Sequence, residues 1–411
     1  MAMTTLPRTP RRLVVLGTMA SNPYAGMAWM NMQITAGLVR LGHDAVYLET
    51  TSSWPYDPIR QYKTPDDHYA GPYLARTAAS FGLGDRWAYR RSYSDGEWMG
   101  PAGDRAAALL LHADAVFNVA GATRRAENGV AGGNLVYYGT DPVYHEVGYE
   151  NGDPETLAII AEHAAVVTYG ENIGTPASPL PPLPNLVART RQPVLLDMWR
   201  PATPSRDVYT TVANWKQDGR EVDFRGERYH WSKHLEFAKF IDVPLRAPVT
   251  IELATNLARP ESMRYGEGEP VKARGVDNDA RTTLEANAWK LVAAEQLTLD
   301  PWTYRDYIES SRAEFSIARD LNVRLNSGWF SERSACYLAA GRPVIAQDTG
   351  FGTVLPTGEG LFAFNSADEA LAAIDAVEGD YARHSRAARR IAEEYFGAET
   401  VLSTLLGDLG L

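Results

Sequence analysis

The sequence predicts an α/β protein of two doubly wound domains that face each other across a cleft. Three observations predict it. Short apolar runs that end in polar loops alternate with helix-length segments along most of the chain, the pattern of parallel sheets covered by helices. The pattern starts twice, at Arg12 and again at Val208. Between the two starts, Pro176, Pro179, Pro181, Pro182, Pro184, Pro193, Pro201 and Pro204 crowd one stretch, which reads as an extended, stiff connector. The expected organisation is residues 1–205 as the first domain, with the connector at 175–205, then 206–390 as the second. Residues 391–411 form a C-terminal helix that returns toward the first. At 411 residues the chain is long for one core and comfortable for two.

Arg12 to Gly17 reads as a strand that enters a glycine turn. Ser21 to Gly26 is a loop, Met27 to Leu41 a helix stopped by Gly42, and Ala45 to Leu48 the next strand. This βαβ opening calls for parallel pairing. Gly17 and Gly26 do not make the G-x-G-x-x-G fingerprint, which disfavours an NAD or FAD site. Ala115–Val119, Leu135–Tyr138 and Ala165–Tyr169 are further strands, each followed by a polar loop at one edge of the sheet. In the second half, Val208–Ala213 and Val249–Ala254 read as strands around a helix from Ser232 to Phe240. Trp302–Ser311 is a helix, Ala313–Ile317 a strand, Glu359–Phe364 a turn and strand, and Ala367–Val377 a helix. The tail from Tyr381 is mostly helical.

Hydrophobic content of 45% and charged content of 22% are those of an ordinary globular chain. A net charge of −11 argues against a nucleic-acid partner, which wants a basic face. The single cysteine, Cys336, excludes an intrachain disulfide and a Cys-rich zinc site, and its apolar neighbours make it a small buried residue. Met1 to Arg12 lacks the apolar run of a signal peptide, and no stretch approaches ~20 apolar residues. The expectation is a cytoplasmic protein with no integral membrane segment. The eight histidines show no metal-ligand spacing, so no catalytic metal is expected.

The most specific stretch runs from Gly328 to Phe351. Ser331 is placed to cap a helix whose first turn holds Glu332, Arg333 and Ser334. Gly341 sits at the C-cap and Pro343 forbids continuation. Val344–Ala346 is a short buried strand, and Asp348, Thr349, Gly350 and Phe351 follow its carboxyl end, where open α/β sheets place ligand contacts. This order of helix, Gly-x-Pro turn, strand and acidic loop resembles the donor-sugar half of the GT-B glycosyltransferases. The resemblance covers the whole chain as architecture, two Rossmann-like domains around a cleft, and is sequence-specific mainly in residues 206–365. It implies a nucleoside-diphosphate sugar as co-substrate, no metal, and a small-molecule or glycan acceptor. It implies that the helix start at Ser331 faces the diphosphate, since helix N-termini offer free N–H groups and partial positive charge. Lys216, beside Asn214 after the second domain's first strand, and Lys233 on the next element would neutralise the leaving group. Arg324 and Arg333 are further cations for that task. Asp348 would orient the sugar. Two departures stand out. Retaining members carry a pair of glutamates before the Gly-x-Pro turn; the matching positions are Gly328 and Cys336. The inverting branch has a histidine before Gly-Trp; here Ser327 precedes Gly328-Trp329.

In the first half, Asp141 and His145 are the candidate general bases, because an attacking hydroxyl must lose a proton. Gly26 and Glu171 are acceptor-side candidates on their loops. The aromatic segment from Trp54 to Trp98 is where an acceptor pocket is expected, without a readable motif. Two other readings stand beside transfer. One is a non-catalytic GT-B-like protein that binds a sugar nucleotide or scaffolds a partner. The other is a nucleotide-sugar epimerase, which needs an acid/base pair near the sugar and finds only Glu332 and Asp348.

Overall fold

The computed structural model describes residues 9–60, 62–125, 130, 133–217, 219–257 and 277–411. The reading of Met1 to Arg12 falls largely on residues 1–8, outside the described residues. Among the described residues no helix is long and apolar enough to cross a membrane.

Two sheets organise the chain. The first has eight strands with Arg12–Leu16 near its middle, between Asp44–Thr50 on one side and Ala115–Val119 on the other. Its pairings are parallel except at the edge, where Trp98–Met99 runs antiparallel to Trp87–Arg90. The second has six parallel strands, with Val208–Val212 between Thr250–Thr255 and Ala313–Ser316. Each sheet therefore reverses its strand order beside the strand that opens it, the position where ligands settle in open α/β sheets. Strands buried on both faces explain the unbroken apolar runs: Leu13 to Leu16 and Val344 to Ile345 are all 0% exposed.

Three elements differ from the sequence reading. The Pro-rich connector is not uniformly irregular: its proline-free residues Leu186–Arg189 add an edge strand to the first sheet. The segment after Trp54 supplies the other edge, Trp87–Arg90 and Trp98–Met99. Between Val208–Val212 and the helix His234–Lys239 lies a two-stranded antiparallel ribbon, Val222–Phe224 with Glu227–Tyr229. The ribbon packs its Val222, Phe224 and Tyr229 against Val143, Val147 and Ile173 of the first half. The C-terminal helix Ala398–Asp408 lies on Ala25–Arg40, close enough that a Cβ on Gly37 would stand 2.5 Å from Leu402 Cδ1.

The halves meet along a hydrogen-bonded seam. Trp29 Nε1 donates to Pro301 O at 2.9 Å, Ser178 Oγ to Leu325 O at 2.7 Å, and Trp329 Nε1 to Thr140 O at 3.1 Å. Asn172 is the busiest member: its Nδ2 donates to Gly350 O at 3.0 Å and Asn326 O at 3.1 Å, and its Oδ1 accepts from Thr353 Oγ1 at 2.6 Å.

Candidate functional site

The helix Glu332–Ala339 begins at Ser331, whose side chain makes no capping bond, so no N-cap side chain claims its first N–H groups. Gly341, at φ +69°, ends the helix in the left-handed conformation read from its place before Pro343. Ser331 and the buried Ser334 line a cavity of about 10 Å³, closed on the far side by Ser316, Gln347 and Thr349.

Beside it lie two cations from different elements. Arg333 donates through Nε to Glu314 Oε1 at 2.6 Å, through Nη2 to Ser316 Oγ at 2.7 Å, and through Nη1 to Val212 O. Burial works against the Arg333 charge, but the Glu314 carboxylate outweighs it and raises the pKa. Lys233 donates to Ile317 O at 2.7 Å. Burial, then the positive charges of Arg333 and Arg319, push its ammonium well below the usual lysine range. A desolvated lysine between guanidinium groups is poised to take an anion.

The structure brings Lys233, Arg333, Ser331 and Ser334 together. Thr349 and Phe351 line the same cavity as the two serines, while the remaining predicted residues lie elsewhere. Asn214 and Lys216 are exposed beyond the end of Val208–Val212, outside the residues that line the cavity. Arg324 is held on the ribbon side by Glu227, Asp320 and the Arg228 carbonyl, with its guanidinium 4.1 Å over Tyr229. Those carboxylates neutralise it away from the helix start. Asp348 turns Oδ1 onto the N–H of Gly350 at 2.8 Å, capping its own loop, and is not among the cavity-lining residues. Gly350, at φ +85°, admits Asn172 and Asn326 rather than open space: a Cβ there would stand 2.2 Å from Asn326 Oδ1. Thr349 bonds the Trp329 carbonyl, and Phe351 packs on Phe330 with ring centroids 5.2 Å apart. Glu171 is paired with Arg191 at 2.5 Å. Gly26 lies in the first turn of Ala25–Arg40 with no atom within 4 Å of a Cβ position.

Asp141 crosses the seam to Arg319, which lies 3.7 Å over Trp231. His145 is held neutral: burial, then Arg220, push it down to about 4. At neutral pH the ring is uncharged and keeps one N–H, and the low pKa makes it a weak base. Val143, between them, sits at φ +89°, a costly conformation for a β-branched residue, and Glu146 Oε2 accepts its N–H at 2.7 Å.

Sequence reasoning missed four participants. Glu314 and Arg319 bind or flank the cations; the signal was a carboxylate inside an apolar strand and a cation just past its end. Gln33 donates to Glu332 Oε1 at 3.0 Å across the seam. Glu49, 0% exposed, orders the first strand's loop by accepting from Ala20 N at 2.7 Å, Ser21 N at 3.0 Å and Tyr47 OH at 2.8 Å. The three consecutive residues Asp66, Asp67 and His68 bring their ligand atoms within 4.8 Å on the loop before Ala70–Ser80, a grouping not read from the sequence.

The fold is that of the GT-B glycosyltransferases. Solved structures over nearly the full chain share it. HepE of Anabaena in complex with UDP-glucose is 12% identical, with 97% of this chain and 99% of that one covered and a TM-score of 0.52. An α-glucosyltransferase in complex with UDP and a mismatch-containing 13-mer DNA is 8% identical, with 98% and 100% covered and a TM-score of 0.59. A glycosyltransferase of Rickettsia africae is 11% identical, with 97% and 98% covered and a TM-score of 0.51. No protein-family model matches the chain, and no curated protein matches it.

Proposed function

We propose that the protein transfers a sugar from a nucleoside-diphosphate sugar to a hydroxyl-bearing small molecule or glycan. The observation that carries this is the meeting of Lys233, Arg333 and an uncapped helix start beside the second sheet's switch point. Glycosyl transfer expels a nucleoside diphosphate, and fixed cations with a helix N-terminus stabilise the charge that develops on it. They supply what a divalent ion supplies elsewhere, so transfer is metal-independent in this reading. Residues 206–390 bind the donor, 1–205 the acceptor, and 391–411 tie the two.

Asp141 takes the acceptor proton. Its partner Arg319 holds the carboxylate at the seam between the halves. The cavity at Ser331 is far smaller than a nucleotide-sugar, so donor entry parts the seam at Asn172. Asp348 supports the sugar loop through its cap on Gly350. The fold match to HepE, solved with UDP-glucose, makes uridine nucleotides the first probes.

The test is a thermal-shift screen against nucleoside diphosphates, then turnover with the matching nucleotide-sugars in the presence of EDTA. Ligand at a hundred times its Kd raises stability by about 2.7 kcal/mol. Transfer or slow donor hydrolysis that survives EDTA supports the reading. Tight binding without turnover favours a sugar-nucleotide-binding protein, and interconversion of the donor sugar favours an epimerase.

A further inference from the structure

A second cavity lies in the seam, one residue away from the first: Ala318 lines the first, while Arg319 lies over Trp231 of the second. Tyr137, Asp141, Tyr144 and His145 form its wall from the first half, and Arg220 and Trp231 close it from the ribbon segment. Its volume is about 50 Å³. About 10–15 Å³ of such space holds one water, so the cavity has room for a group of a few heavy atoms.

Its charge is unbalanced. Asp141 is already paired with Arg319. Arg220 makes no ion pair among the described residues; its guanidinium is 5.0 Å over Trp231 and 6.0 Å over Tyr144. Stacking on two aromatic rings presents an arginine without neutralising it. His145 Nδ1 is buried with no hydrogen-bond partner among the described residues. The ribbon that carries Arg220 is anchored on the first half by its own apolar contacts and by Asn151 Nδ2, which donates to Asp223 O at 2.6 Å. Arg220, solvent-exposed and without an ion partner among the described residues, thus lines one small space with His145 and Asp141 at the acceptor side of the seam.

We propose that this cavity receives an anionic substituent of the acceptor, so that the acceptor is a hydroxylated ring bearing a carboxylate or a phosphate. The inference rests on the transferase reading and names its acceptor class. Arg220 supplies the charge-assisted bonds, and the ring itself stays outside, toward the Asp141–Arg319 pair.

The test is equilibrium binding to the full chain, saturated with UDP, of glucuronate, glucose 6-phosphate and glucose at low and moderate salt. At least one anion should bind ten times or more tighter than glucose, with the advantage shrinking as salt rises. Arg220→Gln should abolish that advantage. Arg228→Gln, on the exposed face of the same ribbon, should keep it. Preference for glucuronate alone supports a carboxylate acceptor, and preference for the phosphate alone a sugar phosphate. Equal affinities, no measurable binding of any of the three, or discrimination that survives Arg220→Gln overturns the proposal. So does a matching loss of UDP affinity in Arg220→Gln, which would assign the pocket to the donor. Wild-type protein that ignores nucleotides yet keeps the anion preference sustains the pocket and sinks the transferase reading instead.

Discussion

Glu252 and Glu314 stand level with each other in the second sheet, each in register with Thr210 of the strand between them, and their surroundings differ sharply. Glu252 is 1% exposed and fully engaged: Arg206 reaches both oxygens at 2.7 Å, Lys290 is 2.9 Å away, and Tyr307 OH donates at 2.8 Å. Burial raises its pKa, but these bonds outweigh it and the carboxyl ends up lowered. Glu314 is 0% exposed and has Arg333 alone, at Oε1; its Oε2 is buried without a partner among the described residues. The first carboxylate is a finished structural joint. The second is under-satisfied, and it lies under the cation that faces the helix start. Buried polar groups left incomplete in an otherwise satisfied structure mark the places where something else is expected to bind.

The largest effect should come from breaking each joint. Arg333→Met leaves Glu314 buried and unpaired, which costs about 3–5 kcal/mol. Arg206→Met leaves Glu252 with Lys290 and Tyr307 and should cost only about 1 kcal/mol. Urea unfolding of both variants measures the contrast, and equal losses would erase it. Adding Glu314→Gln to Arg333→Met should restore stability and leave nucleotide binding lost.

Lys233 sharpens the comparison, because its charge is a liability until an anion arrives. Lys233→Met should melt no lower than wild type while UDP affinity falls tenfold or more, about 1.4 kcal/mol. The sign of its pH effect follows from the lowered folded-state pKa. The unfolded chain binds the proton more tightly, so stability rises with pH between the folded value and about 10.4. Lys233→Met should flatten that rise. Because a bound diphosphate favours the ammonium, nucleotide binding should take up protons at pH values above the lowered folded-state pKa, read by calorimetry in buffers of different ionisation enthalpy.

The smallest effect belongs to Glu332. Burial pushes its carboxyl up to about 7, against the bond from Gln33. The folded state thus holds a proton that the unfolded state loses near the ordinary carboxylate range. Its contribution to stability declines as pH rises toward 7. Once ionised, it repels a diphosphate at the helix start. Nucleotide affinity should therefore weaken a few-fold more from pH 6 to 8 in wild type than in Glu332→Gln, where only the Lys233 contribution is left; an unchanged slope in the variant would clear Glu332 of the effect.

What the sequence by itself determined was local and periodic. The opening strands at Arg12 and Val208, the helix stop at Gly341 and Pro343, and the polar loops at strand ends all follow from neighbours within a few residues. Lys233, Arg333 and Ser331 were legible because each sits at a strand end or helix start, where fold rules place ligands. What only the tertiary structure decided was which polar groups meet. Lys216 and Lys233 look alike in sequence, yet one is exposed and the other is enclosed by Arg333 and Arg319. Gln33 and Glu332 are 299 residues apart, and Asn172 and Gly350 are 178 apart. The edge strand Leu186–Arg189 and the ribbon at 222–229 have too few residues for a period to show. Their placement comes from a neighbouring strand's unpaired edge and from an apolar patch on the other half. Such pairings follow from the packing of whole sheets and leave no mark at short spacing, so the folded chain alone selects them.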